Sequence, residues 1–146
     1  MPYKPSLWPV SVKAVALDHR EHVLLLRNER AEWELPGGRL EIGPPSGSNP
    51  ADDGPEQTVE RELLEETGWE VRAGRLLDTW VYEPLPDRRV LILTYDCTVL
   101  TPDRPPVVSH EHSRVGLFAE HQIKGLTMPD GYKRSIAAVY AARSAR

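Results

Sequence analysis

The residues best placed to do chemistry form one run, Arg61-Glu62-Leu63-Leu64-Glu65-Glu66-Thr67-Gly68-Trp69. On a helix, Glu62, Glu65 and Glu66 stand at i, i+3 and i+4, so their carboxylates share one face and Leu63 turns away toward a core. Three like charges so close repel one another, which costs helix stability unless a cation sits among them. Hard divalent cations, Mg²⁺ above all, take oxygen ligands and bridge a few carboxylates to substrate phosphates. Arg61, one turn before Glu65, is placed to brace that carboxylate and fix its direction. A solvated acidic helix face would show the same residues, and the run alone leaves both readings open.

Stepping outward from the run, Glu56–Thr67 is rich in helix formers, with Pro55 suited to the first turn and Gly68 to the position after the last. Val59, Leu63 and Leu64 are expected to form its buried stripe. Ser11–Leu17 and His22–Arg27 read as strands, with Asp18–Glu21 as a hairpin turn between them. Trp33–Leu35 reads as a short strand ending at Pro36-Gly37-Gly38, where glycines let the backbone approach a ligand without a Cβ in the way. Trp69–Tyr82 and Arg89–Leu100 are strand-bearing segments around a proline turn, and Val115–Ala119 is a further strand. Tyr132–Ala142 is an amphipathic helix with Ile136, Val139 and Tyr140 on one side, opened by the basic Gly131-Tyr132-Lys133-Arg134 turn. Strands and helices in mixed order predict an α/β or α+β sandwich.

Composition narrows the classes further. The chain has 146 residues, 40% hydrophobic and 27% charged, enough for a packed core under a charged surface. Its 14 prolines fall in clusters that mark loops, and none is long enough to separate two cores, so one domain over 1–146 is expected. No segment approaches the ~20 apolar residues of a membrane span, and the first ten residues lack a signal-peptide core. The single cysteine, Cys97, excludes an intrachain disulfide and fits a cytoplasmic setting. A net charge of −4 argues against a general nucleic-acid surface.

Taken with Gly38 upstream, the run resembles the signature of the Nudix hydrolases (MutT-like pyrophosphohydrolases), G-x5-E-x7-R-E-U-x-E-E-x-G-U with U apolar. The match is carried by Gly38, Arg61, Glu62, Leu63, Glu65, Glu66, Gly68 and Trp69. The resemblance implies an α/β/α sandwich with a mixed β-sheet and hydrolysis of a nucleoside diphosphate linked to another group X. Nucleoside triphosphates, nucleotide sugars, ADP-ribose and dinucleoside polyphosphates all belong to that substrate class. It also implies Mg²⁺ or Mn²⁺ held by Glu62, Glu65 and Glu66, with Gly38 and Asp53 in support. A small-molecule nucleotide is the implied partner, with no stable nucleic-acid or membrane partner; many relatives dimerise, so a homodimer fits as well. The alternative reading is a Nudix-like nucleotide-binding or regulatory module without turnover.

Two departures from the signature stand out. Gly38 and Arg61 are nine residues farther apart than the signature sets them, which predicts a loop insertion over 44–52. Counting back from Arg61, Asp53 occupies the place of a glutamate, keeping the charge but shortening the reach by one methylene. Among further candidates, Glu111 in Ser109-His110-Glu111-His112-Ser113 matches the additional metal-proximal ligand or general base that the family often carries before its last strand. His110 and His112 do not close a tetrahedral zinc site. Arg27, at a strand end, is a candidate phosphate contact, and Gly37, Gly38, Trp80 and Tyr82 are candidate substrate contacts, the aromatic pair by stacking on a base.

Overall fold

The computed structural model of the protein describes residues 7–41, 53–108 and 114–145. The segment 44–52, expected to be an insertion, lies outside them, as do Glu111 and its two histidine neighbours. Among the described residues there are seven strands: β1 (Val10–Ala16), β2 (Val23–Arg27), β3 (Trp33–Glu34), β4 (Gly37–Arg39), β5 (Val71–Leu85), β6 (Arg88–Val99) and β7 (Arg114–Phe118). They are joined by helix α1 (Pro55–Thr67), a short 3₁₀ helix (Glu120–Gly125) and helix α2 (Asp130–Ser144).

The strands form two sheets. One is mixed, in the order β4-β1-β6-β5, with β1 parallel to β6 and the other pairs antiparallel. The other is antiparallel, in the order β3-β2-β7. Strand β1 explains the layering. Its sequence Val-Ser-Val-Lys-Ala-Val-Ala is apolar at five of seven positions, and continuously so from Ala14, as suits a strand covered on both faces. Val12, Ala14 and Ala16 pack with Val59 and Leu63 of α1, and with Trp69, Tyr95 and Cys97. Val15 faces the other way, joining Ile92 and the α2 residues Tyr132, Ile136 and Val139. The mixed sheet therefore lies between the two helices, the α/β/α sandwich expected from the signature.

Three sequence expectations need correction. Asp18–Glu21 is a turn, its Asp18 carboxylate accepting from the Arg20 and His22 backbone N–H groups at 2.9 Å each. It does not close a hairpin: β1 and β2 enter different sheets and share only the Leu17–Val23 bridge. The glycine pair follows the short strand β3, as expected, but also begins a strand of its own. β4 runs antiparallel along β1, with Gly38 opposite Val12 and Gly37 opposite Lys13. Finally, Leu64 is 49% exposed, whereas Val59 and Leu63 are fully buried. The helix is narrower in its contact than its leucines suggest, because Glu66 rather than Leu64 turns inward.

The two adjacent leucines provide a direct test. Leu63→Ala empties a filled site and is expected to cost about 3 kcal/mol in urea denaturation. Leu64→Ala should change stability by less than about 0.5 kcal/mol, as at other surface positions.

Candidate active site

Helix α1 is fixed in its roll by contacts on the side away from the carboxylate face. The Tyr95 hydroxyl donates to Glu56 Oε1 at 3.2 Å, and the Ala73 backbone N–H donates to Glu60 Oε2 at 2.9 Å. These two acidic residues tie the helix to β6 and β5. Its C-terminal end is closed by Gly68, whose φ of 77° places it in the left-handed region and whose N–H donates to the Leu64 carbonyl. Val107 N–H donates to the Thr67 carbonyl at 3.0 Å, and the Arg104 guanidinium donates to the Gly68 carbonyl at 2.7 Å. A cation at a helix C-terminus also opposes the helix dipole.

With α1 so held, Glu62 meets β4 at Gly38, and the three carboxylates differ sharply in exposure. Glu66 is buried at 5%, the Glu62 side chain is 16% exposed and that of Glu65 is 58% exposed. The Glu62 carboxylate lies directly against the backbone of Gly38, where a Cβ would overlap its carbon and both oxygens. Gly37 has φ 151° and leaves equally little room, since a Cβ there would overlap the Val12 carbonyl oxygen. The glycine pair thus serves close approach, of carboxylate to backbone at Gly38 and of strand to strand at Gly37.

Arg61 braces two of the three carboxylates. Its Nη1 donates to Glu62 Oε1 at 3.0 Å and to Glu65 Oε2 at 3.2 Å. Burial pushes the Glu62 carboxyl up and Glu65 adds to the rise; Arg61 and Lys13 oppose it without cancelling it. Lys13 was not singled out by the sequence, yet it is the sheet's contribution of positive charge to this region. Desolvation alone would lower its ammonium, but Tyr132, Glu34, Glu66 and Glu62 together hold it above the ordinary lysine range. The available signal was a lone lysine in an otherwise apolar strand covered on both faces.

Asp53 is exposed, two residues ahead of α1, and its backbone N–H is bonded to the Gln57 side chain. Arg27 ends β2 opposite Trp33 and Arg114. Trp80 and Tyr82 are half-buried on the α2 side, both packed against Tyr132, with ring centroids 5.1 and 6.4 Å away. The Trp80 ring also covers the backbone of Gly131, and the Tyr82 hydroxyl donates to Glu32 Oε1 at 3.0 Å. Both rings are therefore elements of packing as well as candidate stacking faces.

The donor set suits a hard divalent cation, since all three side chains are carboxylates and one is locked against backbone. Among the described residues no three His, Cys, Asp or Glu side chains form a ready-made cage, and Arg61 lies between Glu62 and Glu65. A cation entering this face has to share Glu62 and Glu65 with that guanidinium.

Comparison with known proteins bears directly on this arrangement. The family model for the NUDIX domain matches residues 7–139. A MutT-like protein of Streptomyces ambofaciens is 36% identical over 94 residues, which cover 64% of this chain and 53% of that protein, about half its length. Among solved structures, the MutT protein from Methanosarcina mazei Go1 superposes with a TM-score of 0.71 at 25% identity, covering 95% of this chain and 96% of its own. A NUDIX hydrolase from Nitrosomonas europaea gives a TM-score of 0.73 at 20% identity, covering 93% and 90%, a likeness of fold.

The contact between Glu62 and Gly38 can be tested without reference to activity. Gly38→Ala should destabilise the protein by about 1–3 kcal/mol, as overpacking does. Combining it with Glu62→Ala removes the carboxylate that the new methyl meets. The double mutant should then cost at least about 1 kcal/mol less than the sum of the single changes, measured by chemical denaturation as a double-mutant cycle.

Proposed function

The chain belongs to the NUDIX family, and from that premise we propose that it hydrolyses the pyrophosphate bond of a nucleoside diphosphate linked to a further group X. The observation that carries the reading is the Glu62 carboxylate seated on the Gly38 backbone and braced by Arg61, within a matched signature. Glu62, Glu65 and Glu66 would hold Mg²⁺ or Mn²⁺, with Asp53 in support at the helix start. The cation supplies neutralisation of pyrophosphate charge and acidification of water.

The chain's own residues divide the remaining work. Gly37 and Gly38, by admitting β1 and the Glu62 carboxylate where any Cβ would overlap them, would hold that carboxylate on the face the phosphates meet. Arg61 keeps the Glu62 and Glu65 oxygens pointed along one face. Glu65, Glu66 or Glu111 would accept a proton from water, and Glu65 is the most exposed of the three α1 carboxylates. Trp80 and Tyr82 on the α2 side, with Arg27 at the end of β2, are the candidates for contact with the rest of the substrate.

A second reading, nucleotide binding without turnover, is favoured by one observation: the described carboxylates do not form a cation cage of their own. Release of a nucleoside monophosphate from a panel of nucleotide substrates separates the two. With Mg²⁺ or Mn²⁺ the protein should turn over at least one member of the panel, and excess chelator should abolish the reaction. Glu65→Gln and Glu66→Gln should each reduce kcat about 10²-fold or more while leaving the melting transition in place. Glu56→Gln, which alters only the bond to Tyr95, should retain turnover. Full activity in chelator, or near wild-type rates in both Glu65 and Glu66 variants, overturns the assignment.

A further inference from the structure

Past the end of β6, residues 100–107 run as a strap across the C-terminal end of α1. Leu100 N–H donates to the Glu70 carbonyl at 2.8 Å, and Glu70 N–H donates to the Thr101 hydroxyl at 3.2 Å. Farther along, strap and helix end grip each other reciprocally. The Trp69 indole N–H donates to the Arg104 carbonyl at 2.7 Å, and the Arg104 guanidinium donates to the Gly68 carbonyl at 2.7 Å. Val107 N–H closes the series on the Thr67 carbonyl at 3.0 Å. On its other side the strap rests on the turn after β1, where His19 Nδ1 lies 3.2 Å from the Pro102 carbonyl oxygen and 3.5 Å from the Asp103 carboxylate. Pro102, Pro105 and Pro106 restrict its backbone further.

The chemistry of this grip is specific. The signature asks only for an apolar residue at position 69, and this chain uses tryptophan, whose indole adds an N–H donor. Trp69 is fully buried, and the strap supplies the acceptor for that donor. Arg104 is exposed and forms no ion pair among the described residues; its guanidinium holds a carbonyl at the end of α1 instead. The turn closed in this way, residues 64–67, carries Glu65 and Glu66, two of the three carboxylates of the candidate site. Tyr95 and Ala73 fasten the helix farther upstream, at Glu56 and Glu60. A helix end frays at little cost, because its last carbonyls lack partners within the helix. Without the strap, the turn that bears Glu65 and Glu66 is the first to open.

We infer that Arg104 and Trp69 are positioning residues for the reaction: through the strap they keep the last turn of α1 wound, so that Glu65 and Glu66 meet the cation together. This rests on the hydrolase reading and adds to it a pair that lies off the carboxylate face. A cation that binds only the wound turn has its affinity multiplied by the fraction of the protein in which that turn is wound. Charge alone predicts the opposite sign. Removing a guanidinium near an acidic face relieves repulsion of the cation and tightens its binding, or changes nothing where solvent and salt screen the charge.

Titration of Mn²⁺ into the substrate-free protein, followed by electron paramagnetic resonance, reads this without turnover. Arg104→Met should weaken Mn²⁺ binding about threefold or more, through the effect of one lost hydrogen bond on the wound fraction. Arg104→Lys, whose ammonium can serve the same carbonyl, should return the affinity to within about twofold of wild type. Trp69→Phe keeps an aromatic ring in the core and removes only the N–H donor with part of the ring, and it should weaken Mn²⁺ in the same direction. Combined with Arg104→Met it should cost less than the sum of the two, since both release one strap. Tyr95→Phe, which frees the start of the helix, should leave Mn²⁺ affinity at the wild-type value. A lowered Tm with unchanged Mn²⁺ affinity in Arg104→Met makes the residue purely structural and overturns the inference, and tighter binding overturns it too. A wild-type protein that takes up no Mn²⁺ overturns the hydrolase reading itself, an outcome distinct from both.

Discussion

The contact on which the site depends is that of the Glu62 carboxylate with the backbone of Gly38. It joins α1 to β4, and β4 is joined to β1, the strand buried between both helices. Any side chain at position 38 would turn the carboxylate out of this seat. The placement of the other two carboxylates follows from this one, since a helix is rigid over a single turn. Glu66 is carried inward and Glu65 outward. The region tolerates this density of acid because positive charge arrives from two directions, Arg61 along the helix and Lys13 from the sheet.

The acidic residues of α1 show how one residue type serves two purposes within thirteen residues. Glu56 and Glu60 accept hydrogen bonds from Tyr95 and from the Ala73 backbone, and so behave as fasteners. Both stay at least partly open to solvent, so each fastens the helix without the cost of a buried charge. Glu62 and Glu65 find their described partner in Arg61, on their own helix. The helix is thus anchored by one set of carboxylates so that another set can be presented.

Much of this was legible in the sequence because it is local. The i, i+3, i+4 spacing of the glutamates, Pro55 at the helix start and Gly68 at its end depend on a single turn of backbone, and the structure keeps all three. What the sequence obscured depends on partners far along the chain. Gly37-Gly38 looked like a strand terminus, since glycine weakens strands, yet pairing with β1 overrides that tendency. The hairpin at Asp18–Glu21 failed because its two arms find better partners, β1 in β6 and β2 in β7. Leu64 looked like core because leucine usually is, while neighbouring Glu66 is the residue that turns in. Lys13 meets Glu62 and Glu66 only through the fold, and no spacing rule relates it to them.

The parallel pairing of β1 with β6 has a consequence for how the chain reaches this state. Val12 lies beside Leu93 and Ala16 beside Cys97, so the central ladder closes a loop of about eighty residues. Such distant pairings raise contact order, and folding slows because loop entropy is lost before the ladder compensates for it. During synthesis, β1 emerges long before its neighbour exists, with its run of valines and alanines still uncovered. The nascent chain is therefore exposed to aggregation through β1 until β6 has left the ribosome.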